Sequence, residues 1–283
     1  MLSAAMCVRR TFGDRLGETG LNDMTIMCDR RGSCAWITLN RPQALNALDI
    51  PALKLMGEVL DEIESDEQVR CVVITGTGRA FCAGADLKAI NGLPEDRKIE
   101  SIEQFLHDIN ALMMRVECFP KPVIAAVNGL TIGGGLELLL SCDLVVAAAD
   151  ARLSDGHANF GLLPGAGASV RLPRKLGATR AKYLLFTGDL ISASDPIFAP
   201  LINLVVPNAE LHSAVERLVD SIAGKSPLAL SHVKALANAA FDVSIQEALQ
   251  MEQSANKRYA SSDDRREGIA AFNENRKPAF VGK

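Results

Sequence analysis

The chain has 283 residues, of which 48% are hydrophobic and 23% are charged, and its formal net charge is -4. A chain of this length and composition can bury a sizeable core, so it needs no disulfide or metal in order to fold. The negative net charge argues against nucleic acid as the main partner, because phosphate neutralisation requires a concentrated basic surface. No apolar run approaches the ~20 residues of a membrane span, so we expect no membrane partner either.

Seven cysteines and four histidines are scattered along the chain, without a CxxC pair or the spacing of a zinc site. We therefore expect reduced thiols, no metal ion and a cytoplasmic protein. The N-terminus carries arginines and a short apolar patch, but Asp14, Glu18 and Asp23 argue against an organelle-targeting peptide. Residues 1–23 are predicted to be a disordered N-terminal extension.

From residue 24 onward, short apolar runs alternate with amphipathic segments. The predicted strands are Ala35–Leu39, Cys71–Thr75, Pro122–Val127 and Asp143–Ala148. The predicted helices among them are Asp49–Glu64, Ser101–Glu117 and a segment that runs from the glycines at 133–135 to Leu140. Short apolar strands that alternate with helices are typical of parallel strands joined by crossover helices, so we predict an α/β fold.

After Pro173 the chain is predicted to be mostly helical. The predicted helices are Ala178–Leu185, Ala209–Ile222, Pro227–Phe241, Ser244–Tyr259 and Arg265–Asn275. No repeat or low-complexity linker separates this part from the rest. We expect residues 24–200 to form the α/β core and residues 201–283 to form a helical C-terminal region.

Two segments of small residues, each following a predicted buried strand, are candidates for binding an oxyanion. Gly133–Gly135 opens a helix, where the backbone can approach a ligand closely and N–H groups lack helical partners. This run has neither the GxGxxG spacing nor the lysine of a nucleotide-binding loop. The CAGAD segment Cys82–Asp86 is similar in character. Tight packing explains the glycines equally well, but two such loops converging on one oxygen would form an acyl-transfer or enolate-forming site.

Two titratable side chains lie near these segments in the sequence. Glu137, in the first turn of the glycine-opened helix, either satisfies the helix dipole or acts as a general acid or base among its leucine neighbours. His157 precedes the turn at Pro164 and is a credible proton carrier, although a lone histidine is more often structural. Asp155 could orient His157 only if a turn brings the two residues together.

Six segments together resemble the crotonase family, also called the enoyl-CoA hydratase/isomerase family. They are LNRPQALNALD (Leu39–Asp49), FCAGADLK (Phe81–Lys88), KPVIAAVNGLTIGGGLELLLSCDLVVA (Lys121–Ala147), FGLLPGAGASVRLPR (Phe160–Arg174), TGDLISA (Thr187–Ala193) and EGIAAFNENRKPAF (Glu267–Phe280). The resemblance implies stacked ββα units, with acyl-CoA bound by the core at residues 24–200. It also implies that residues 201–283 serve in assembly, as a homotrimer or as a hexamer of two trimers.

The resemblance further implies an acyl-CoA thioester as the ligand, with no separate cofactor, because coenzyme A enters as part of the substrate. The family's two oxyanion-hole N–H groups match Ala85 and Gly134. Such fixed donors favour a thioester enolate over the neutral ground state. The residues implied in CoA binding are Gln43, Ala44, Leu45, Ala83, Asp86 and Leu87.

The catalytic side chains match the family's hydratases only in part. Glu137 matches one of their two glutamates, but the second position, seven residues before Pro164, holds His157. The family's isomerases rely mainly on that second glutamate, so its absence argues against simple isomerisation. A Glu137–His157 pair is sufficient for hydrating a 2-enoyl-CoA to a 3-hydroxyacyl-CoA, which is the predicted function. The alternatives are other chemistry of the family, such as thioester hydrolysis, C–C cleavage or isomerisation, and acyl-CoA binding with little turnover.

Overall fold

The computed structural model describes residues 25–92 and 95–283, so the predicted extension at residues 1–23 lies outside the described part. The strands are β1 (Ile26–Arg31), β2 (Cys34–Leu39), β3 (Cys71–Gly76), β4 (Ala80–Cys82), β5 (Val123–Val127), β6 (Leu130–Ile132), β7 (Leu144–Ala148), β8 (Arg152–Ser154), β9 (Ile191–Ser192) and β10 (Leu204–Val206). The helices are α1 (Ile50–Ser65), α2 (Leu87–Asn91), α3 (Lys98–Glu117), α4 (Gly134–Ser141), α5 (Ala168–Leu176), α6 (Ala178–Thr187), α7 (Leu211–Ala223), α8 (Pro227–Ala239), α9 (Ile245–Tyr259) and α10 (Asp263–Asn273).

The larger sheet has six strands in the order β1-β2-β3-β5-β7-β10. Only β1 pairs antiparallel, with β2, and the other neighbours are parallel. Every residue of β5 is buried, as expected for a strand covered on both faces. The predicted α/β class is confirmed, and the four predicted strands differ from the observed ones by one residue at one end.

A smaller sheet of four strands, in the order β4-β6-β8-β9, was not predicted. Each of its strands is two or three residues long, too short for an alternating pattern to be recognised. Strands β4, β6 and β8 are mutually parallel, and β9 pairs antiparallel with β8. This sheet matters for function because the candidate site lies where its parallel strands end.

Helix α1 confirms the predicted amphipathic pattern. It buries Leu53, Met56, Leu60 and Ile63 against the core, and the Asp49 carboxylate caps its start by accepting a hydrogen bond from Ala52 N at 2.9 Å. Burial of one such face against a sheet stabilises a helix more than intrinsic propensity does. The spacing of apolar residues was therefore a reliable guide here.

Helix α5 was not among the predicted helices, because the first helix expected in the C-terminal part began at Ala178. Pro173 lies inside this helix, where it removes one backbone hydrogen bond to the carbonyl four residues earlier. That carbonyl belongs to Ser169, which is exposed, so water can satisfy it. Burial of Leu172 and Leu176 offsets the loss.

The C-terminal region packs on the core of the same chain. Strand β10 lies beyond residue 200 and pairs in parallel with β7, so this region also adds one strand to the larger sheet. On α8, Lys234 Nζ lies 2.7 Å from Asp143 Oδ2. The division at residue 200 and the role of residues 201–283 in assembly stay predictions. None of the helices in the described ranges is long and apolar enough to cross a membrane.

Candidate active site

The candidate site lies at one edge of the smaller sheet, where β4, β6 and β8 end. Because these strands are parallel, the loops that follow them leave the sheet at the same edge. The three loops carry the CAGAD segment, the glycine run and the segment Asp155–His157. The topology thus gathers candidate residues that are far apart in the sequence.

The glycine run begins α4 in a conformation that requires glycine. Gly133 has φ 54° and ψ -118°, and no side chain caps the helix start. Such a positive φ is accessible to glycine and strained for other residues. An uncapped helix N-terminus carries partial positive charge, so it favours an anion.

The backbones of the CAGAD loop and the glycine run almost touch. A Cβ atom on Gly84, which has φ 91°, would lie 2.8 Å from Gly134 N and 2.9 Å from Ile132 O. A Cβ atom on Gly135 would lie 2.0 Å from Cys82 O. The two interpretations of the glycines are therefore not alternatives, because the tight packing is what brings the two loops side by side.

The two predicted oxyanion donors are neighbours. A Cβ atom on Gly134 would lie 3.4 Å from Ala85 N. On either side of Ala85, Gly84 O accepts from Leu48 N at 2.7 Å and Asp86 N donates to Leu48 O at 2.9 Å, which turns the intervening Ala85 N–H away from Leu48. Neither the Ala85 N–H nor the Gly134 N–H donates to another residue of the described chain. Two adjacent N–H groups are thus available to one acceptor oxygen.

Glu137 points towards the loop before α5. The residue is 2% exposed, and its Oε1 accepts hydrogen bonds from Ala166 N at 2.8 Å and from Ala168 N at 3.0 Å. Its Oε2 accepts no hydrogen bond from any described residue. The carboxylate is therefore held by one oxygen, and the other oxygen can bind water or substrate. Interaction with the dipole of α4 alone does not explain this arrangement.

His157 is oriented by Asp155, as the sequence allowed if a turn intervened. Gly156, with φ 68°, makes that turn, and His157 Nδ1 lies 3.0 Å from Asp155 Oδ1. Asp155 is 1% exposed, and its Oδ2 has no hydrogen-bond partner among the described residues. With Nδ1 engaged, Nε2 is the nitrogen left for chemistry, and a Cβ atom on Gly133 would lie 3.7 Å from it.

The surroundings of His157 favour its charged form. Burial alone lowers the pKa of the imidazole, but the hydrogen bond and charge of Asp155, together with the charge of Glu137, raise the pKa above its ordinary value of 6.5. Glu137 is therefore close enough to His157 for its charge to matter. The site thus combines the Glu137 carboxyl group with an imidazole whose charged form is favoured.

Three of the predicted CoA-binding residues lie on a turn that adjoins the CAGAD loop. Gln43 and Ala44 belong to the 3-10 turn Pro42–Ala44, which ends at Leu45 with φ 52°. Leu45 O accepts a hydrogen bond from Ala83 N at 3.0 Å. The two predicted CoA-binding segments are thus joined into one surface.

Asp86 and Leu87 begin α2 at the end of this surface. Asp86 caps the helix by accepting from Ala89 N at 3.1 Å, while the Leu87 side chain is exposed. The Ala89 N–H and the Arg41 guanidinium, 2.9 Å away, outweigh burial and hold the pKa of Asp86 below its ordinary value. Arg41 also lies 2.8 Å from Asp49 Oδ2, so it fixes the CAGAD loop relative to the start of α1.

Sequence reasoning missed Arg41 and the Ala166 and Ala168 N–H groups. Arg41 stands in the loop between β2 and α1, inside the first segment of the family resemblance. Its position in that segment could have marked it as a candidate site residue. The N–H groups of Ala166 and Ala168 left no such signal, because every residue except proline carries the same donor.

Cys82 does not contribute a nucleophile to this arrangement. Burial raises the pKa of the Cys82 thiol, in the CAGAD loop itself, to about 12, so the thiol stays protonated near neutrality. In the described ranges, no cluster of three or more His, Cys, Asp or Glu side chains could hold a metal ion. The chemistry available among the described side chains is thus that of Glu137 and His157.

Comparison with known proteins gives a consistent result. The sequence profile of enoyl-CoA hydratase/isomerase matches residues 29–283. The chain is 36% identical over 255 residues to a short-chain-enoyl-CoA hydratase of Clostridium acetobutylicum, covering 89% of this chain and 95% of that protein. It is 35% identical over 261 residues to a crotonyl-CoA hydratase of Syntrophomonas wolfei, covering 91% and 98% respectively.

Solved structures agree with the sequence relatives. The chain superimposes on the crystal structure of an enoyl-CoA hydratase from Bacillus anthracis with a TM-score of 0.87 at 37% identity, covering 92% of this chain and 100% of that chain. A structure of an enoyl-CoA hydratase from Mycobacterium smegmatis gives a TM-score of 0.84 at 34% identity, covering 91% and 99%. The resemblance and the crotonase-like fold inferred from the six segments are confirmed: the chain belongs to the enoyl-CoA hydratase/isomerase family.

Proposed function

We propose that this protein adds water to a 2-enoyl-CoA to form a 3-hydroxyacyl-CoA. The observation that carries the proposal is the placement of Glu137 and His157 beside the two adjacent N–H groups of Ala85 and Gly134. Relatives that align over nearly the whole chain include proteins named short-chain-enoyl-CoA hydratase and crotonyl-CoA hydratase, which supports the same reaction class.

In the proposed reaction the thioester carbonyl oxygen accepts hydrogen bonds from Ala85 N–H and Gly134 N–H. Attack of water at the β-carbon moves negative charge onto that oxygen. Donors fixed in a buried setting stabilise the developing enolate more than the neutral thioester, because they need no reorganisation when the charge appears. The uncapped start of α4 adds its partial positive charge.

Two side chains then divide the proton chemistry. Glu137, held through Oε1, uses Oε2 to take a proton from water while the hydroxide adds to the β-carbon. His157 donates its Nε2 proton to the α-carbon and becomes neutral. Transfer of the proton from Glu137 back to His157, directly or through solvent, returns both groups to their starting forms.

His157 thus takes the place that a second glutamate has in the family's hydratases. An imidazolium is already protonated and can donate without prior proton uptake. Asp155 holds the Nδ1–H, so the acidic proton is the one on Nε2, which faces the glycine run. The raised pKa of His157 favours the protonated form that this role requires.

We further infer that coenzyme A lies along the surface formed by the 3-10 turn and the CAGAD loop. The residues in this role are Gln43, Ala44, Leu45, Ala83, Asp86 and Leu87. The hydrogen bond from Ala83 N to Leu45 O, at 3.0 Å, supports one continuous binding surface. A homotrimer or a hexamer is the proposed assembly, and large apolar side chains such as Phe241 and Ile245 are exposed in the C-terminal helical region, as surfaces buried on assembly often are.

Crotonyl-CoA provides the direct test. Hydration removes the conjugated double bond, so the ultraviolet absorbance of the enoyl thioester falls as product forms. Short, long, branched and aromatic enoyl-CoAs complete the series. If none of them is turned over while CoA thioesters still bind, the protein is a binder and the hydratase proposal is wrong.

One observation favours hydrolysis of the thioester as a second candidate. A carboxylate that orients a histidine beside oxyanion donors is also the arrangement that activates water or a hydroxyl for acyl transfer. The same incubation separates the two reactions, because hydrolysis releases free coenzyme A, which a thiol reagent detects, whereas hydration leaves the thioester intact.

A further inference from the structure

A partly buried ion pair lies behind the turn that holds Glu137. Arg171, on α5, has a side chain that is 7% exposed, and it contacts Glu117 on α3, whose side chain is 30% exposed. Its Nε and Nη2 donate to Glu117 Oε2 at 3.0 and 2.6 Å. Its Nη1 donates to Ala166 O at 2.7 Å. One guanidinium thus joins a neighbouring helix to the loop before α5.

The same loop faces Glu137 on its other side. Ala166 N and Ala168 N donate to Glu137 Oε1 at 2.8 and 3.0 Å, and the carbonyl that Arg171 binds lies between these two N–H groups along the chain. The Ala166 carbonyl belongs to the peptide plane between the two planes that carry these N–H groups, and it is joined to each of them through one Cα atom. With this carbonyl held by Arg171 and both N–H groups held by Glu137, the turn is fixed on both sides.

Gly167 suits this arrangement through its backbone conformation and through its lack of a side chain. It has φ 108°, and a Cβ atom on it would lie 2.0 Å from Arg171 Nη1 and 3.0 Å from Arg171 Cζ. The positive φ turns the chain between the two N–H donors. The missing side chain leaves room for the guanidinium against the turn.

The ion pair needs an explanation other than stability. Desolvation of the buried Arg171 guanidinium offsets part of its attraction to Glu117, and an apolar pair of similar volume often stabilises a fold equally well. An arginine also supplies what an apolar side chain cannot, namely directed N–H donors in a rigid plane. Here those donors connect Glu117 with the Ala166 carbonyl.

We infer that Arg171, anchored by Glu117, is a positioning residue that aligns the Ala166–Ala168 turn and through it the Glu137 carboxylate. The inference rests on the proposed function, because that proposal makes Glu137 the base. The expected signature is a loss in kcat with little change in KM, since neither Arg171 nor Glu117 touches the predicted CoA surface.

The test compares Arg171→Met and Arg171→Lys with a matched control. Misplacement of a catalytic group by about 1 Å can cost ~10²-fold in rate, so we expect Arg171→Met to lower kcat for crotonyl-CoA about 10- to 100-fold, with KM changed less than about twofold. Arg171→Lys should restore part of kcat, because an ammonium reaches one partner but not both. The control is Arg174→Met, on the same helix, where the arginine pairs with Asp242 and is 46% exposed; it should leave kcat unchanged.

Crystal structures of the variants give a readout that does not depend on turnover. In Arg171→Met the Glu137 Oε1 distances to Ala166 N and Ala168 N should lengthen, and in Arg174→Met they should not. If the wild-type protein hydrates no enoyl-CoA, the proposed function fails and these distances alone decide the inference. Should Arg171→Met fail to fold, Glu117→Gln takes its place in both measurements, because it keeps the shape of the pair and removes the negative charge of Glu117. Unchanged kcat and unchanged Glu137 contacts in the folded variants would overturn the inference.

Discussion

The candidate site has two halves that are built in different ways. In the backbone half, residues 83–86 and 133–135, atoms are held by close approach, because a Cβ atom on Gly84 or Gly135 would collide with neighbouring backbone. In the side-chain half, Glu137 accepts hydrogen bonds from N–H groups 29 and 31 residues further along the chain, and His157 is held by Asp155, two residues before it. The backbone half tolerates no added volume. The side-chain half depends on the charges of Glu137 and His157 and on the direction of the hydrogen bonds that hold them. Substitutions should therefore affect the two halves differently.

The largest expected effect concerns the side-chain half. Glu137→Gln preserves the shape of the side chain but removes the proton acceptor, so kcat for hydration should fall by ~10²–10⁴-fold, the usual contribution of a general base. Binding of a CoA thioester, measured by calorimetry, should stay within about twofold.

The control for this substitution is Glu103→Gln, at an exposed position on α3. It should leave turnover unchanged. Equal turnover by Glu137→Gln and the wild type would remove Glu137 from the proposed mechanism.

The next largest effect concerns the backbone half. In Gly84→Ala the new methyl group would lie 2.8 Å from Gly134 N, so the two loops must separate and the donors diverge. Loss of one oxyanion donor costs ~10²–10³-fold in kcat, and the overpacking should destabilise the fold by about 1–3 kcal/mol. Steady-state kinetics and thermal unfolding measure the two effects separately.

Gly57→Ala is the matched control for Gly84→Ala. A Cβ atom on Gly57, in α1, would meet nothing within 4 Å, and alanine favours a helix over glycine by about 1 kcal/mol. The control should therefore be slightly more stable and fully active. An active Gly84→Ala protein would show that the close approach of the two loops is not required for catalysis.

A smaller effect, with a distinct pH signature, is expected at Asp155. If His157 must be protonated to act, the rate falls as pH rises through its pKa. The Asp155 charge raises that pKa, so Asp155→Asn lowers it and should move the alkaline fall of the rate to lower pH. Misorientation of the imidazole should also lower the maximal rate by about 10- to 100-fold.

The pH profile of kcat for the wild type and Asp155→Asn measures both changes. A profile with an unchanged alkaline limb would indicate that the proton donor is not His157.

The smallest expected effect is on substrate binding. Arg41→Ala removes the ion pairs with Asp49 and Asp86, 2.8 and 2.9 Å away, and so loosens the CAGAD loop at the predicted CoA surface. Hydrogen bonds to charged groups contribute about 1.5–3 kcal/mol to the folded state, and only part of this loss should affect substrate binding, so KM for crotonyl-CoA should rise no more than about tenfold, while kcat changes less. The control, Arg30→Ala, removes a more exposed ion pair with Asp66 and should change neither KM nor kcat. A rise in kcat/KM for Arg41→Ala would contradict the role of Arg41 in holding the CAGAD loop.

Much of the fold could be predicted because its longer elements repeat a simple pattern. Helix α1 buries one face at helical spacing, and β3 and β5 are continuous apolar runs. The smaller sheet and α5 could not be predicted in this way. Strands of two or three residues are too short to show an alternating pattern of apolar residues. Pro173 argues against a helix in the sequence, although tertiary packing stabilises one there.

For the site, the sequence by itself determined the chemical groups: a glycine run that opens a helix, a second small-residue loop, one glutamate and one histidine. From the family resemblance it also predicted that this histidine stands where the family's hydratases have a second glutamate. Glycine patterns are readable because a positive φ or a close approach restricts which residues can stand there.

Only the tertiary structure decided how these groups are arranged. The parallel ends of β4, β6 and β8 set the Ala85 and Gly134 N–H groups side by side and brought His157 Nε2 to the glycine run. The orientation of Glu137 depends on backbone N–H groups 29 and 31 residues further along the chain. Such long-range contacts leave no local pattern, because any non-proline residue supplies the same N–H and the fold alone decides where it points.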